Sequence, residues 1–181
     1  MMCCNQRIKP SKRVIIRFAL SVFLIIVILV SIIYIGWNVL FPPFTVTDAE
    51  SYLDRHKNEL NTLAEFLLNT ESDSYTIHSA YGTAIGDMKR IEITDETVLS
   101  CLRELYSDKC IRIGKDTAKN CIDVEICTRG DITYGLLYAI DPSRMPEAWF
   151  MTDIISLSDD QWFYYEADYN QWRVEKSENS Q

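Results

Sequence analysis

The stretch from Cys110 to Ile140, CIRIGKDTAKNCIDVEICTRGDITYGLLYAI, decides how the chain reads. Ile111 and Ile113 fall on one side of an extended chain, and Ile122, Val124 and Ile126 repeat the same alternation. Successive side chains of a strand point to opposite faces, so this period marks strands with one buried and one polar face. Residues 132–140 break the alternation. Nearly every one is apolar or small, which suits a central strand covered on both sides. Gly130-Asp131, between the last two runs, is ordinary turn chemistry.

Toward the C-terminus, Pro142 and Pro146 bound a loop and residues 154–157 suggest a short strand. Residues 162–166 and 171–176 read as a hairpin turning at Asp168-Tyr169-Asn170. Toward the N-terminus, Thr47 and Glu50 match a capping box. The helix they open runs to residue 68 with an apolar stripe at Ala49, Leu53, Leu60, Leu63 and Leu67, on which His56 also falls. Strands are expected over 75–81 and 88–93 around a turn at 82–86. A second helix opens at Asp95-Glu96, with Val98, Cys101, Leu102 and Leu105 inward. Helix, two strands, helix and a run of strands predict an α+β domain: an antiparallel sheet with two helices on one face. On element order alone this resembles cystatin-like and NTF2-like folds, which implies a fold and nothing about activity.

Residues 18–37, FALSVFLIIVILVSIIYIGW, carry no charge. At about 1.5 Å per residue, such a helix spans roughly 30 Å, the thickness of a bilayer's hydrocarbon core. Residues 1–40 hold Arg7, Lys9, Lys12, Arg13 and Arg17 and no acid, a charge of +5. The rest hold 18 − 5 = 13 bases against 26 acids, or −13, and the two sum to −8. Basic residues flank the cytoplasmic end of a membrane helix. The apolar run is longer than a signal peptide's and no A-x-A site follows it, so a retained signal anchor is expected. The sequence thus divides into a basic cytoplasmic tail (1–13), an anchor (14–40) contacting lipid through 18–37, and a proline spacer (41–46). An extracytoplasmic domain (47–176) and a disordered tail (177–181) follow. No N-x-S/T acceptor lies beyond the anchor, in keeping with a bacterial cell membrane. A domain at −13 is unsuited to nucleic acid, whose binding needs Lys and Arg on phosphates, but attracts cationic partners.

Catalytic signatures are absent: no H-E-x-x-H, G-x-S-x-G, P-loop or dinucleotide-binding loop occurs. His56 and His78 read as structural, and no metal or cofactor is expected. Asp160 and Glu166 offer a carboxylate pair of the kind glycoside hydrolysis uses, though an acidic surface is the better account of them. Cys3 and Cys4 precede the anchor, where thiols stay reduced or take a palmitoyl group. Beyond it, a Cys110–Cys121 disulfide would staple the first hairpin if its loop were short. Cys110–Cys127 is the rival pairing, and free thiols are the third possibility. Arg129-Gly130-Asp131 resembles the tripeptide of integrin ligands, but the turn reading explains it without a partner.

Trp162, Phe163, Tyr164, Tyr165, Tyr169 and Trp172 fall within eleven residues. Rigid aromatics among polar groups suit a binding patch, and Trp162, Tyr164, Tyr165, Tyr169, Trp172 and Arg173 are its candidates. Cross-strand aromatic pairs also stabilise hairpins without any ligand. The expectation is a membrane-anchored, non-catalytic interaction domain that binds an envelope or membrane protein, in a sensor, immunity or accessory role. A carbohydrate-binding module using the same aromatics is the alternative, and a carboxylate-dependent hydrolase the weaker one. Detection of an N-terminal tag on the mature membrane-bound chain tests the retained anchor. A free domain beginning near residue 38 would show cleavage instead.

Overall fold

The computed structural model describes residues 12–40, 42–157 and 161–178. Cys3, Cys4, most of the basic tail, Asp160 and residues 179–181 lie outside them. The chain divides into two compact units, residues 1–43 and 44–181. In the first, α1 (Lys12–Leu40) is one continuous helix, and its segment Leu20–Trp37 is long and apolar enough to cross a membrane. Phe23, Ile33 and Leu40 on this helix are all exposed.

The second unit is α+β. Its helices are α2 (Val46–Arg55), α3 (Lys57–Leu68), α4 (Glu96–Ser107) and α5 (Tyr169–Glu178). Its strands are β1 (Ser74–Ile77), β2 (Thr83–Gly86), β3 (Lys89–Glu92), β4 (Arg112–Asp116) and β5 (Cys121–Arg129). The rest are β6 (Ile132–Ala139), β7 (Met151–Ser156) and β8 (Trp162–Asp168). Among the described residues they form one sheet of eight antiparallel strands, ordered β3-β2-β1-β4-β5-β6-β8-β7. Helices α2, α3 and α4 cover one face. Leu53, Leu60, Leu63 and Leu67 of the expected stripe meet Ile113, Val124 and Leu136 there in a dry core. Leu137, on the same strand as Leu136, is also fully buried but on the opposite face, with Tyr165. That is the two-sided burial expected of residues 132–140.

The local differences have identifiable causes. The first cap is Thr45, not Thr47: its hydroxyl accepts from the Asp48 amide, and its own amide donates to Asp48. The long helix breaks at His56, which leaves helical geometry (φ −114°, ψ 20°) and ends α2, so three helices rather than two line the face. His56 is buried against the Tyr52 ring, and its Nε2 lies 2.8 Å from Asp108 Oδ2 at the end of α4. Residues 83–86 are a strand rather than a turn. The true turn is Asp87-Met88, both at positive φ (45° and 65°), as a two-residue hairpin loop demands.

The expected C-terminal hairpin is half right. Its second arm is α5, because the Asp168 carboxylate accepts from the amides of Asn170 and Gln171 and so caps a helix. The cysteine staple is also corrected. The loop between β4 and β5 is the longer 117–120, and Cys121 pairs with Asp116, far along the strand from Cys110. Cys110 instead enters the helix-side core, and Cys101, Cys110, Cys121 and Cys127 are all free.

Gly135 sits mid-sheet opposite Glu125 and Tyr165, and a Cβ there would collide with the Val124 carbonyl and the Tyr165 ring. Because backbone cannot yield as a side-chain tip can, Gly135→Ala is expected to destabilise by about 3 kcal/mol. Urea unfolding checks this, with a lowered midpoint at an unchanged slope as the expected result.

Candidate functional site

The sheet face turned away from α2–α4 has a different character. Arg112, Asp123 and Glu125 occupy alternate positions on β4 and β5, with Tyr165 across β6. Gly114 pairs with Asp123, and a Cβ there would meet the Asp123 carboxylate and the Arg112 guanidinium. Gly114 thus leaves room for the Asp123 and Arg112 side chains, and Gly135 lets the Val124 backbone and the Tyr165 ring approach closely. Arg112, Asp123, Glu125 and Tyr165 line a hollow of about 300 Å³ on this face. Its rim is built by Ala148-Trp149-Phe150, in the loop before β7, and by Tyr169 at the start of α5.

Asn120 fixes that rim. It stands at a left-handed φ of 58° in the β4–β5 turn, and it is fully buried. Its amide group donates to the carbonyls of Asp141 and Arg144 and accepts from the Asp141 amide. The Glu147 amide also donates to the Lys119 carbonyl at 3.0 Å. Turn and loop are therefore tied together, which brings Lys119 beside Trp149. Phe150 holds a left-handed φ of 59°, a conformation a bulky residue adopts only when its surroundings impose it. Its ring packs edge-on against Tyr169 (4.8 Å) and Trp172 (5.0 Å).

The electrostatics are set by burial. Arg112 Nε donates to Glu125 Oε2 at 3.0 Å, and Nη2 donates to Asp123 Oδ2. Burial raises the Asp123 pKa, with Arg112 the largest opposing influence. Burial likewise works against the Arg112 charge, but Asp123 and Glu125 outweigh it. Cys121 also lines the hollow, and burial pushes its thiol up to about 12, so it stays protonated and unreactive near neutral pH. Lys119 Nζ lies 3.1 Å above the centroid of the Trp149 ring. That nitrogen is shielded from solvent and has no hydrogen-bond partner, although the stem is half exposed. Its pKa is lowered by burial, against the pull of Asp116.

The aromatic candidates part company here. Trp162 (1% exposed) donates its indole N–H to Asn61 Oδ1, and Tyr164 donates to the Phe44 carbonyl. Both belong to the helix-side core. Tyr165 forms the floor of the hollow and Tyr169 its rim, while Trp172 backs Phe150 and Tyr169. Arg173 is exposed on α5 and does not line the hollow. Sequence reading passed over Arg112, Lys119, Asp123, Glu125, Trp149 and Phe150. The charged ones on β4 and β5 were legible as the polar side of two alternating strands, but their convergence on one hollow was not.

Chemically, the hollow presents four carboxylates, two of them paired with a guanidinium, an ammonium and aromatic walls. His56 is bonded to Asp108, and His78 is exposed just past β1. Glu166 pairs across the sheet with Tyr134 and Asp153, outside the hollow, and burial raises its pKa. Asp131, from the Arg129-Gly130-Asp131 turn, accepts from Asn170 Nδ2 at 2.8 Å and lines the hollow. Among the described residues, no three His, Cys, Asp or Glu side chains converge on a metal position. Comparison with protein-family models, curated proteins and solved structures found no match.

Removing the guanidinium strands two carboxylates. Arg112→Met is expected to cost about 3–5 kcal/mol at pH 7. Its pH dependence follows from linkage. Losing Arg112 lifts the Asp123 pKa further above its unfolded value of about 3.9, so the folded state holds the extra proton and stability falls as pH rises between the two. The variant should therefore regain part of its loss at pH 5, as thermal melts at the two pH values will read. A deficit independent of pH would refute the electrostatic account.

Proposed function

We propose that this chain is a single-pass membrane protein with its N-terminus in the cytoplasm, displaying a non-catalytic recognition domain outside the cell membrane. Its partner is another envelope or membrane protein, in a sensor, immunity or accessory role. The observation that carries the recognition reading is the hollow on the open sheet face. It combines fixed charges with aromatic walls, the composition of binding pockets, and at about 300 Å³ it has room for one projecting side chain or a small ligand. The basic residues before an uncharged apolar helix support the topology. The protonated Cys121 and the pairing of Asp123 and Glu125 with Arg112 favour binding over catalysis.

Envelope carbohydrate is the second reading, favoured by Trp149 and Tyr169. Both are exposed on the rim (67% and 45%) beside carboxylates, an arrangement that suits a sugar ring stacked on an aromatic face.

The double substitution Trp149→Ala/Tyr169→Ala tests the site, since neither side chain belongs to the buried core. Crosslinking in intact membranes should capture one defined protein with the natural chain. The double variant is expected to lose at least about nine-tenths of that product while melting within a few degrees of it. Co-sedimentation with insoluble cell-wall polysaccharide, lost in the same variant, would select the carbohydrate reading.

A further inference from the structure

The hollow is not electrically neutral. Asp116, Asp123, Glu125 and Asp131 line it against Arg112, Lys115 and Lys119, so four negative groups face three positive ones and leave −1. The Lys115 Nζ is spent on Thr70, donating to the carbonyl at 2.9 Å and to the hydroxyl at 3.1 Å. Arg112 is committed to Asp123 and Glu125. An anionic ligand would meet net repulsion, and the whole region beyond residue 40, at −13, draws cations inward.

Lys119 shows what the wall accepts. Its ammonium rests on the Trp149 face with no hydrogen bond and no water contact, held by the π face and by nearby carboxylates alone. An ammonium carries three donors, and leaving all of them unsatisfied out of solvent is unfavourable. The group is therefore a weakly held occupant of a position built for a cation. Swinging its half-exposed stem outward would return the ammonium to water and vacate the Trp149 face.

We propose that the hollow receives an alkylammonium group, from a free amine or from a lysine side chain of a protein partner, on the Trp149 face that Lys119 Nζ occupies in the free chain. The inference rests on the hollow being the binding site of the recognition domain. The incoming group stacks on Trp149 as Lys119 does, in a hollow whose lining includes the Asp116 and Asp131 carboxylates and is net negative. Lys119 is then an internal competitor rather than a ligand-binding residue.

The test is calorimetric titration of the full chain in detergent micelles with butylamine, with the blocked peptide acetyl-Gly-Lys-Gly-amide, and with acetate and glucose. Both amines are expected to bind. Trp149→Ala should weaken them about tenfold, with an unchanged melting temperature because the ring is exposed. Lys119→Met, which keeps the stem and removes the competitor, should tighten them about threefold or more. Peptide binding at least about tenfold tighter than butylamine identifies a protein lysine as the source, and equal affinities identify a free amine. The assignment is overturned if Lys119→Met weakens binding, if Trp149→Ala leaves amine affinity unchanged, or if only acetate or glucose binds. Should neither amine bind while Trp149→Ala/Tyr169→Ala still abolishes the membrane crosslink, the ammonium assignment fails and the recognition domain stands. A crosslink that survives the double variant removes the recognition reading itself.

Discussion

A guanidinium held between two carboxylates governs this domain. Arg112, Asp123 and Glu125 stand on neighbouring strands at the middle of the sheet, where water is largely excluded. Charges in such a place are tolerated only when paired and hydrogen-bonded, so the three side chains fix one another's positions. The cluster also needs room, which Gly114 supplies by lacking a side chain where Asp123 and Arg112 meet. An apolar core cannot be completed over such a group. The open face therefore keeps a hollow where the opposite face is packed dry by three helices.

This division of labour explains why the rim is built as it is. Asn120 clamps the loop after β6 to the β4–β5 turn, and the strained backbone at Phe150 points a rigid ring toward Tyr169 and Trp172. Trp149 is left exposed with an ammonium resting on it. Walls that are preorganised without a ligand lose little entropy on binding, which suits recognition. The same burial that raises the Asp123 pKa keeps Cys121 protonated.

Much of the fold was readable because it rests on periodicity. The stripe Ala49, Leu53, Leu60, Leu63, Leu67 is buried throughout, and residues 132–140 are covered on both faces. The failures were local. Thr47-Glu50 satisfies the same capping pattern as Thr45-Asp48, and only the backbone chooses between them. Asp168-Tyr169-Asn170 suits a turn as well as a helix cap, and the aromatic run then suggested a hairpin with Trp162 and Tyr164 among its binding candidates. Both are core residues instead. The disulfide expectation failed on the position of the loop, which lies at 117–120 rather than around Lys115-Asp116 and so sets a different register for every pair beyond it.

The sequence by itself determined the uncharged segment at 18–37, the opposed charges of +5 and −13 around it, and an α+β domain with a two-sided central strand. These follow from composition and from periods of 2 and 3.6 residues, which neighbouring positions carry in full. The site was decided by tertiary structure. Arg112, Lys119, Asp123, Trp149 and Tyr169 come from two strands, a turn, a loop and a helix. Their meeting depends on strand register, on the room that Gly114 leaves for Asp123 and Arg112, and on one buried asparagine that ties the loop down. None of those is a local property of the chain.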